Sequence, residues 1–157
     1  NTKLRSIPFW TLSSCVPMLA ERFELLEPLR AFARSGRPVF GTCAGAILLS
    51  SEIIDGRADQ HCLGAIDVSV RRNGFGRQVD SFEIDLDIPA LGAAGLGDEP
   101  FDAVCVRAPV IERIGDDVEV MASVDGNPAL VRSGAIMVAI FHPELAGDRR
   151  LHELFVL

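Results

Sequence analysis

Pro38-Val39-Phe40-Gly41-Thr42-Cys43-Ala44-Gly45-Ala46-Ile47-Leu48-Leu49 decides the fold. A short apolar run enters Gly-Thr-Cys-Ala-Gly, and a small-residue, apolar run of helical character follows. The order is strand, sharp turn, helix, with a cysteine at the turn. It has the form of the nucleophile elbow of Gly-x-Ser-x-Gly hydrolases, with sulfur in place of oxygen. Gly41 and Gly45 lack side chains, so strand and helix can approach closely and the backbone can take strained angles. A cysteine in an apolar run is ordinarily an inert small core residue. The flanking glycines argue against that here. They put Cys43 at a helix N-terminus, where partial positive charge favours the thiolate.

Such a nucleophile needs a base. Ala135-Ile136-Met137-Val138-Ala139-Ile140-Phe141 reads as a buried strand and runs directly into His142-Pro143-Glu144. Open α/β sheets place functional groups at the carboxyl ends of their strands. Pro143 stops the strand. His142 and Glu144, two apart in extended chain, project to one side. The carboxylate can then orient the imidazole, as in other nucleophile-histidine-carboxylate systems.

Gly41-Thr42-Cys43-Ala44-Gly45 followed by Phe141-His142-Pro143-Glu144 resembles the class I (triad) glutamine amidotransferases. More narrowly, the chain is similar to the glutaminase subunit of pyridoxal 5′-phosphate synthase. That match is carried by Arg71-Arg72-Asn73-Gly74-Phe75-Gly76-Arg77-Gln78, Ser81-Phe82-Glu83 and Val106-Arg107-Ala108-Pro109, in family order, from about Glu27 to the C-terminus. The resemblance implies a three-layer, flavodoxin-like α/β fold with a mixed central sheet and helices on both faces. It implies Cys43, His142 and Glu144 as the catalytic triad, and Ala44 as an oxyanion amide. Arg72, Val106 and Arg107 would bind substrate, with Arg72 able to hold a carboxylate bidentately. The implied reaction is hydrolysis of L-glutamine to L-glutamate and ammonia. The ammonia would pass to a (β/α)8-barrel synthase subunit, within a large hetero-oligomer that makes pyridoxal 5′-phosphate. No cofactor and no metal are implied. The family's Pro-Gly-Gly-Glu-Ser loop aligns near Phe9 to Ser13, where its glycines and glutamate are absent. This predicts a fold incomplete or altered at its N-terminus. Two alternatives follow: a catalytically impaired partner that only docks the synthase, or another Cys-His-Glu amide or peptide hydrolase.

The rest of the sequence bounds these readings. The 157 residues predict one domain over 1–157, with 48% hydrophobic and 24% charged residues as in ordinary soluble proteins. A net charge of -7 argues against nucleic acid or an anionic membrane as partner. Cys15, Cys43, Cys62 and Cys105 show no Cys-x-x-Cys pair, so free thiols in a reducing cytoplasm are expected. No run approaches a membrane span of about 20 residues, and no signal peptide is evident. His61-Cys62 invites a metal reading but lacks companion ligands.

In chain order, residues 1–16 offer Ile7 to Leu12 as an edge strand or covering segment. Pro17 to Ser35 reads as one amphipathic helix, with Gly36 as its cap and Pro28 as a kink or break. Ala44 to Ile54 is expected to be helical and Asp55 to Gly64 a loop. Ala65 to Val70 and Val79 to Ile88 alternate as strands, the latter with Asp85 and Asp87 outward. Arg71 to Gln78 and Pro89 to Pro100 read as loops. Phe101 to Arg107, Val118 to Ser123, Ala129 to Arg132 and Ala135 to Phe141 read as strands, with turns at Asp125-Gly126-Asn127 and Ser133-Gly134. Gly147 to Leu157 reads as a terminal helix.

Overall fold

A computed structural model describes residues 19–56, 60–72 and 81–157. The expectations for Ile7 to Leu12, for Pro17, for the Phe9 to Ser13 alignment and for most of the Arg71 to Gln78 loop lie outside these residues.

After a helical turn over 19–22, the chain breaks and restarts as α1 (Leu26–Arg34). The sequence suggested one helix from 17 to 35, interrupted at Pro28. The break instead falls just upstream, where Glu24 takes a positive φ of 58°. Pro28 thereby lands in the first turn of α1, where its missing N–H costs no helical bond. Gly36, at φ 77°, ends this helix in the left-handed conformation that suits glycine.

β1 (Val39–Thr42) leads into α2 (Ala44–Leu49). The expected helix to Ile54 stops at Ser50, whose hydroxyl donates to the Ile47 carbonyl at 2.7 Å. This local bond ends the helix and frees Glu52–Ile53 to form β2 beside β3 (Val68–Arg71). β4 (Ser81–Leu86) carries Asp85 exposed, and Asp87 just beyond it is exposed too. Pro89 then opens a short helix, α3 (Pro89–Ala93), inside the expected loop. Its fixed φ suits a first helical position. β5 (Phe101–Val106), β6 (Val110–Ile114), β7 (Glu119–Val124), β8 (Asn127–Ser133) and β9 (Ile136–Ala139) follow. A 3-10 turn at Pro143–Leu145 and α4 (Arg150–Val156) complete the chain.

Among the described residues the strands form ladders in the orders β1-β9-β8-β7, β2-β3-β6 and β4-β5. β1 pairs with β9 in parallel, Val39 to Ile136 through Thr42 to Ala139. β9 with β8 and β8 with β7 are antiparallel, so the sheet is mixed. All four residues of β9 are buried, which explains its unbroken apolar run. Ile47, Leu130, Met137, Val138, Phe101, Phe141 and Leu151 sit in one continuous core. Phe101 and Phe141 stack obliquely, centroids 5.9 Å apart, and so weld the end of β9 to β5.

α2 is seated on β1 through Gly41. A Cβ there would lie 2.5 Å from Leu49 Cδ1 and 2.9 Å from the Gly45 carbonyl carbon and oxygen. The backbone contact cannot relax by a rotamer change. Gly41→Ala is therefore expected to destabilise the chain by about 1–3 kcal/mol, read as a lower urea midpoint. An unchanged midpoint would mean that helix and strand are not in this contact.

Candidate active site

Cys43 is the residue between β1 and α2, with φ 48° and ψ -103°. A non-glycine residue with positive φ stores strain of order 1–3 kcal/mol, held here by the ladder on one side and the helix on the other. The Cys43 amide donates to the Ala139 carbonyl at 2.9 Å, and its carbonyl accepts from Ala46 at 3.0 Å. The side chain is buried, with Sγ 3.9 Å from the Val106 carbonyl oxygen, which accepts from the thiol.

His142 arrives from the other direction. β9 ends at Ala139, earlier than the apolar run suggested, because the chain then changes partners. Ile140 donates to Ala129 on β8 at 3.0 Å, and His142 donates to Val104 on β5 at 2.8 Å. The carbonyls of Val104 and Val106 thus serve His142 and Cys43 from one strand. Residues two apart present their carbonyls to the same edge, and β4 occupies the opposite edge of β5. β5 therefore acts as a ruler that spaces the two groups.

His142 Nδ1 lies 2.7 Å from Glu144 Oε1. The expectation of an extended His-Pro-Glu is corrected in one respect. Glu144 stands in the 3-10 turn, and the Leu145 amide donates back to the His142 carbonyl at 3.1 Å. Buried Pro143 anchors this turn, and the carboxylate still reaches the ring.

The electrostatics differ from the simple helix-terminus argument. Burial is the largest influence on Cys43 and pushes its thiol pKa up. The Ala44 amide pulls it down, as a helix N-terminus should, and the negative charge of Glu144 adds a smaller push upward. The net shift is upward, so Cys43 rests as a thiol and needs a base. Cys105, next to Val106, is buried and pushed up to about 11, first by burial and then by Cys43.

Arg107 follows Val106 with φ 46°, at the bend that turns β5 into β6. Arg72 stands just beyond β3, its amide donating to Asp55 Oδ1 at 2.8 Å. Because Arg71 pairs with Val110 at the start of β6, Arg72 is carried to the Arg107-Pro109 bend. The structure thus draws Cys43, Ala44, Val106, His142 and Glu144 together, and brings Arg72 and Arg107 to neighbouring strand ends. Sequence reading missed the supporting carbonyls of Val104 and Ala139. Backbone acceptors leave no residue signature. His61 Nε2 lies 3.3 Å from Glu21 Oε1. Among the described residues, no helix is long and apolar enough to cross a membrane.

Comparison with known proteins agrees with this geometry. Residues 10–157 match the model of the SNO glutamine amidotransferase family. A pyridoxal 5′-phosphate synthase subunit PdxT from Mycobacteroides abscessus is 55% identical over 144 residues, covering 92% of this chain and 72% of the relative. Its counterpart from Frankia alni is 53% identical, with 92% and 70% covered. A solved structure of a glutamine amidotransferase superposes with a TM-score of 0.81 at 42% identity, covering 92% of this chain and 72% of that one. A glutamine amidotransferase from Thermotoga maritima, 11% identical, shares the fold alone, with a TM-score of 0.51 over 92% of this chain and 55% of the other. Mixed β1-β9-β8-β7 pairing, the cysteine elbow and these matches lead to one conclusion: the chain has the α/β fold of the class I glutamine amidotransferases and belongs to the SNO glutamine amidotransferase family.

Proposed function

We propose that this chain hydrolyses L-glutamine to L-glutamate and ammonia through Cys43, His142 and Glu144, and delivers the ammonia to a pyridoxal 5′-phosphate synthase subunit. The observation that carries the reading is the strained, buried Cys43 elbow, held on the same strand β5 that holds His142, with Glu144 on Nδ1 of that histidine.

The geometry supports the following course. His142 takes the proton of the Cys43 thiol. Sulfur attacks the carboxamide carbon, forming the C–S bond and placing negative charge on the amide oxygen. The Ala44 amide stabilises that charge. The C–N bond breaks as His142 returns the proton to the departing ammonia. Water, deprotonated by His142, then cleaves the thioester and releases glutamate. Glu144 holds Nδ1, fixing the ring's tautomer and orientation. Arg72 binds the substrate α-carboxylate, and Val106 and Arg107 line the pocket. A neutral resting thiol suits this scheme, because the proton moves only when the base is engaged.

Ammonia is quickly protonated in bulk water, so direct transfer to a synthase fits the chemistry. The partner is a synthase subunit of (β/α)8-barrel form in a hetero-oligomer, acting in the cytoplasm, and the whole of residues 1–157 serves as one glutaminase domain.

Glu144→Gln tests the orienting role. Its carboxylate is half exposed, so solvent can replace part of its effect. A fall in kcat of about 10²-fold with little change in KM is expected, smaller than for a fully buried orienting carboxylate. An unchanged kcat would remove Glu144 from the mechanism.

A further inference from the structure

The two glycines of the elbow prove to be unlike. Gly41 is enclosed: any Cβ would strike the backbone of Gly45 and the side chain of Leu49. Gly45 is open: a Cβ there meets no atom within 4 Å among the described residues. Its φ is not positive, and it lies inside α2, where alanine is the better helix former. Close packing of strand on helix therefore requires Gly41 and does not require Gly45. Among the described residues, neither packing, nor backbone conformation, nor helix propensity accounts for a glycine at this position.

Gly45 stands two residues beyond Cys43, in the first turn of the helix whose Ala44 amide acts on the sulfur. The neighbouring helix positions Ala46 to Leu49 are all buried against the core. Gly45 is only half-buried, so among the described residues the position a Cβ would take is open toward the surface rather than toward the core. We propose that Gly45 is a specificity-determining residue: its absent side chain keeps clear the space that the aliphatic stem of glutamine occupies while its carboxamide lies on Cys43. The inference rests on the glutaminase reading above. It assigns a selection by clearance, in which a methyl group at residue 45 excludes substrate without disturbing the fold.

The test uses the full chain with its synthase subunit, as wild type, Gly45→Ala and Gly45→Val. Three quantities are read: melting temperature, KM for glutamine, and the rates of Cys43 alkylation by iodoacetamide and by a glutamine-shaped chloromethyl ketone. In both alkylations the sulfur displaces halide, forming one C–S bond and releasing the halide ion. The expected result for Gly45→Ala is an unchanged or higher melting temperature and a KM raised by about tenfold, the scale of one misplaced methyl group in a pocket. For Gly45→Val the glutamine-shaped reagent should slow by about a hundredfold or more, while iodoacetamide, much smaller, changes by no more than about threefold. Unchanged KM and unchanged selectivity between the two reagents in both variants would overturn the proposal. So would a melting temperature several degrees lower in Gly45→Ala, because the space would then be filled by the protein itself. A wild type that releases no glutamate and shows no preference for the glutamine-shaped reagent is a separate outcome, which sinks the glutaminase reading and the clearance role with it.

Discussion

Cys43→Ala is expected to lower glutamate release from glutamine by at least about 10⁴-fold, since loss of a catalytic nucleophile typically costs that much or more. Stability should barely change. The side chain is small, and its contact with the Val106 carbonyl is a weak sulfur hydrogen bond. Alanine at the strained φ of 48° faces much the same backbone cost as cysteine. A Cys43→Ala variant that melts normally and binds the synthase but releases no glutamate would therefore isolate chemistry from folding. Cys43→Ser should be nearly as inactive, because a hydroxyl buried in the same place is still harder to deprotonate. The resting thiol gives a further readout. Burial raises its pKa, so iodoacetamide alkylation of the free enzyme should rise with pH and continue to rise beyond the ordinary thiol range. A plateau near neutral pH would contradict the neutral resting state.

His142→Ala is the second large effect, a fall in kcat of about 10³–10⁴-fold. With Nδ1 held by Glu144 at 2.7 Å, Nε2 is the nitrogen that would exchange a proton with sulfur. In the proposed mechanism, loss of the imidazole removes the base for the buried thiol and the acid for the departing ammonia. The loss should appear in kcat, with glutamine binding largely retained. Because the His142 backbone amide bonds to Val104 at 2.8 Å, the turn should keep its place in the variant. Combining His142→Ala with Cys43→Ala should cost little more than either alone, since the two act as one unit. Independent, additive losses would mean that they do not cooperate in one step.

The elbow was legible because its chemistry is written in residue types. Two glycines around a cysteine, preceded by Val39-Phe40 and followed by Ala46-Ile47-Leu48-Leu49, leave few alternatives to strand, turn and helix. The approach of β9 to His142 was legible for the same reason, since four consecutive buried residues leave an unbroken apolar run. The turn at Asp125-Gly126 was also plain. Other features depend on partners far away in sequence. β6 carries Glu112 and Arg113 within a five-residue strand, and its alternation is weak. It is fixed by pairing with β3 and by the Arg71–Glu112 ion pair. The end of α2 at Ser50 was hidden because Ile53 and Ile54 continue the apolar pattern, while the side-chain bond to Ile47 and the ladder to β3 override it. The break before α1 was misplaced because Pro28 was the visible breaker, whereas the actual turn uses Glu24 in a conformation its residue type does not advertise. Within the candidate site, the positions of Cys43 at the elbow and His142 after β9 follow from the sequence pattern. The ruler of Val104 and Val106 carbonyls could not, nor could the upward shift of the Cys43 thiol, which arises from burial that only the packed structure supplies.

The same distinction separates Gly41 from Gly45. In the sequence they are symmetric about Cys43. In the structure one is locked against Leu49, and the other has no described atom within 4 Å of where a Cβ would stand. Their substitutions are therefore expected to diverge, with Gly41→Ala acting on stability and Gly45→Ala on substrate.

The most direct measurement is glutamate release from glutamine by this chain mixed with a matching pyridoxal 5′-phosphate synthase subunit, with Cys43→Ala run beside it. The account predicts steady release by the unaltered chain that vanishes in the variant. Binding of the synthase without any glutamate release by the unaltered chain would contradict it, and would leave a glutaminase fold whose remaining role is assembly.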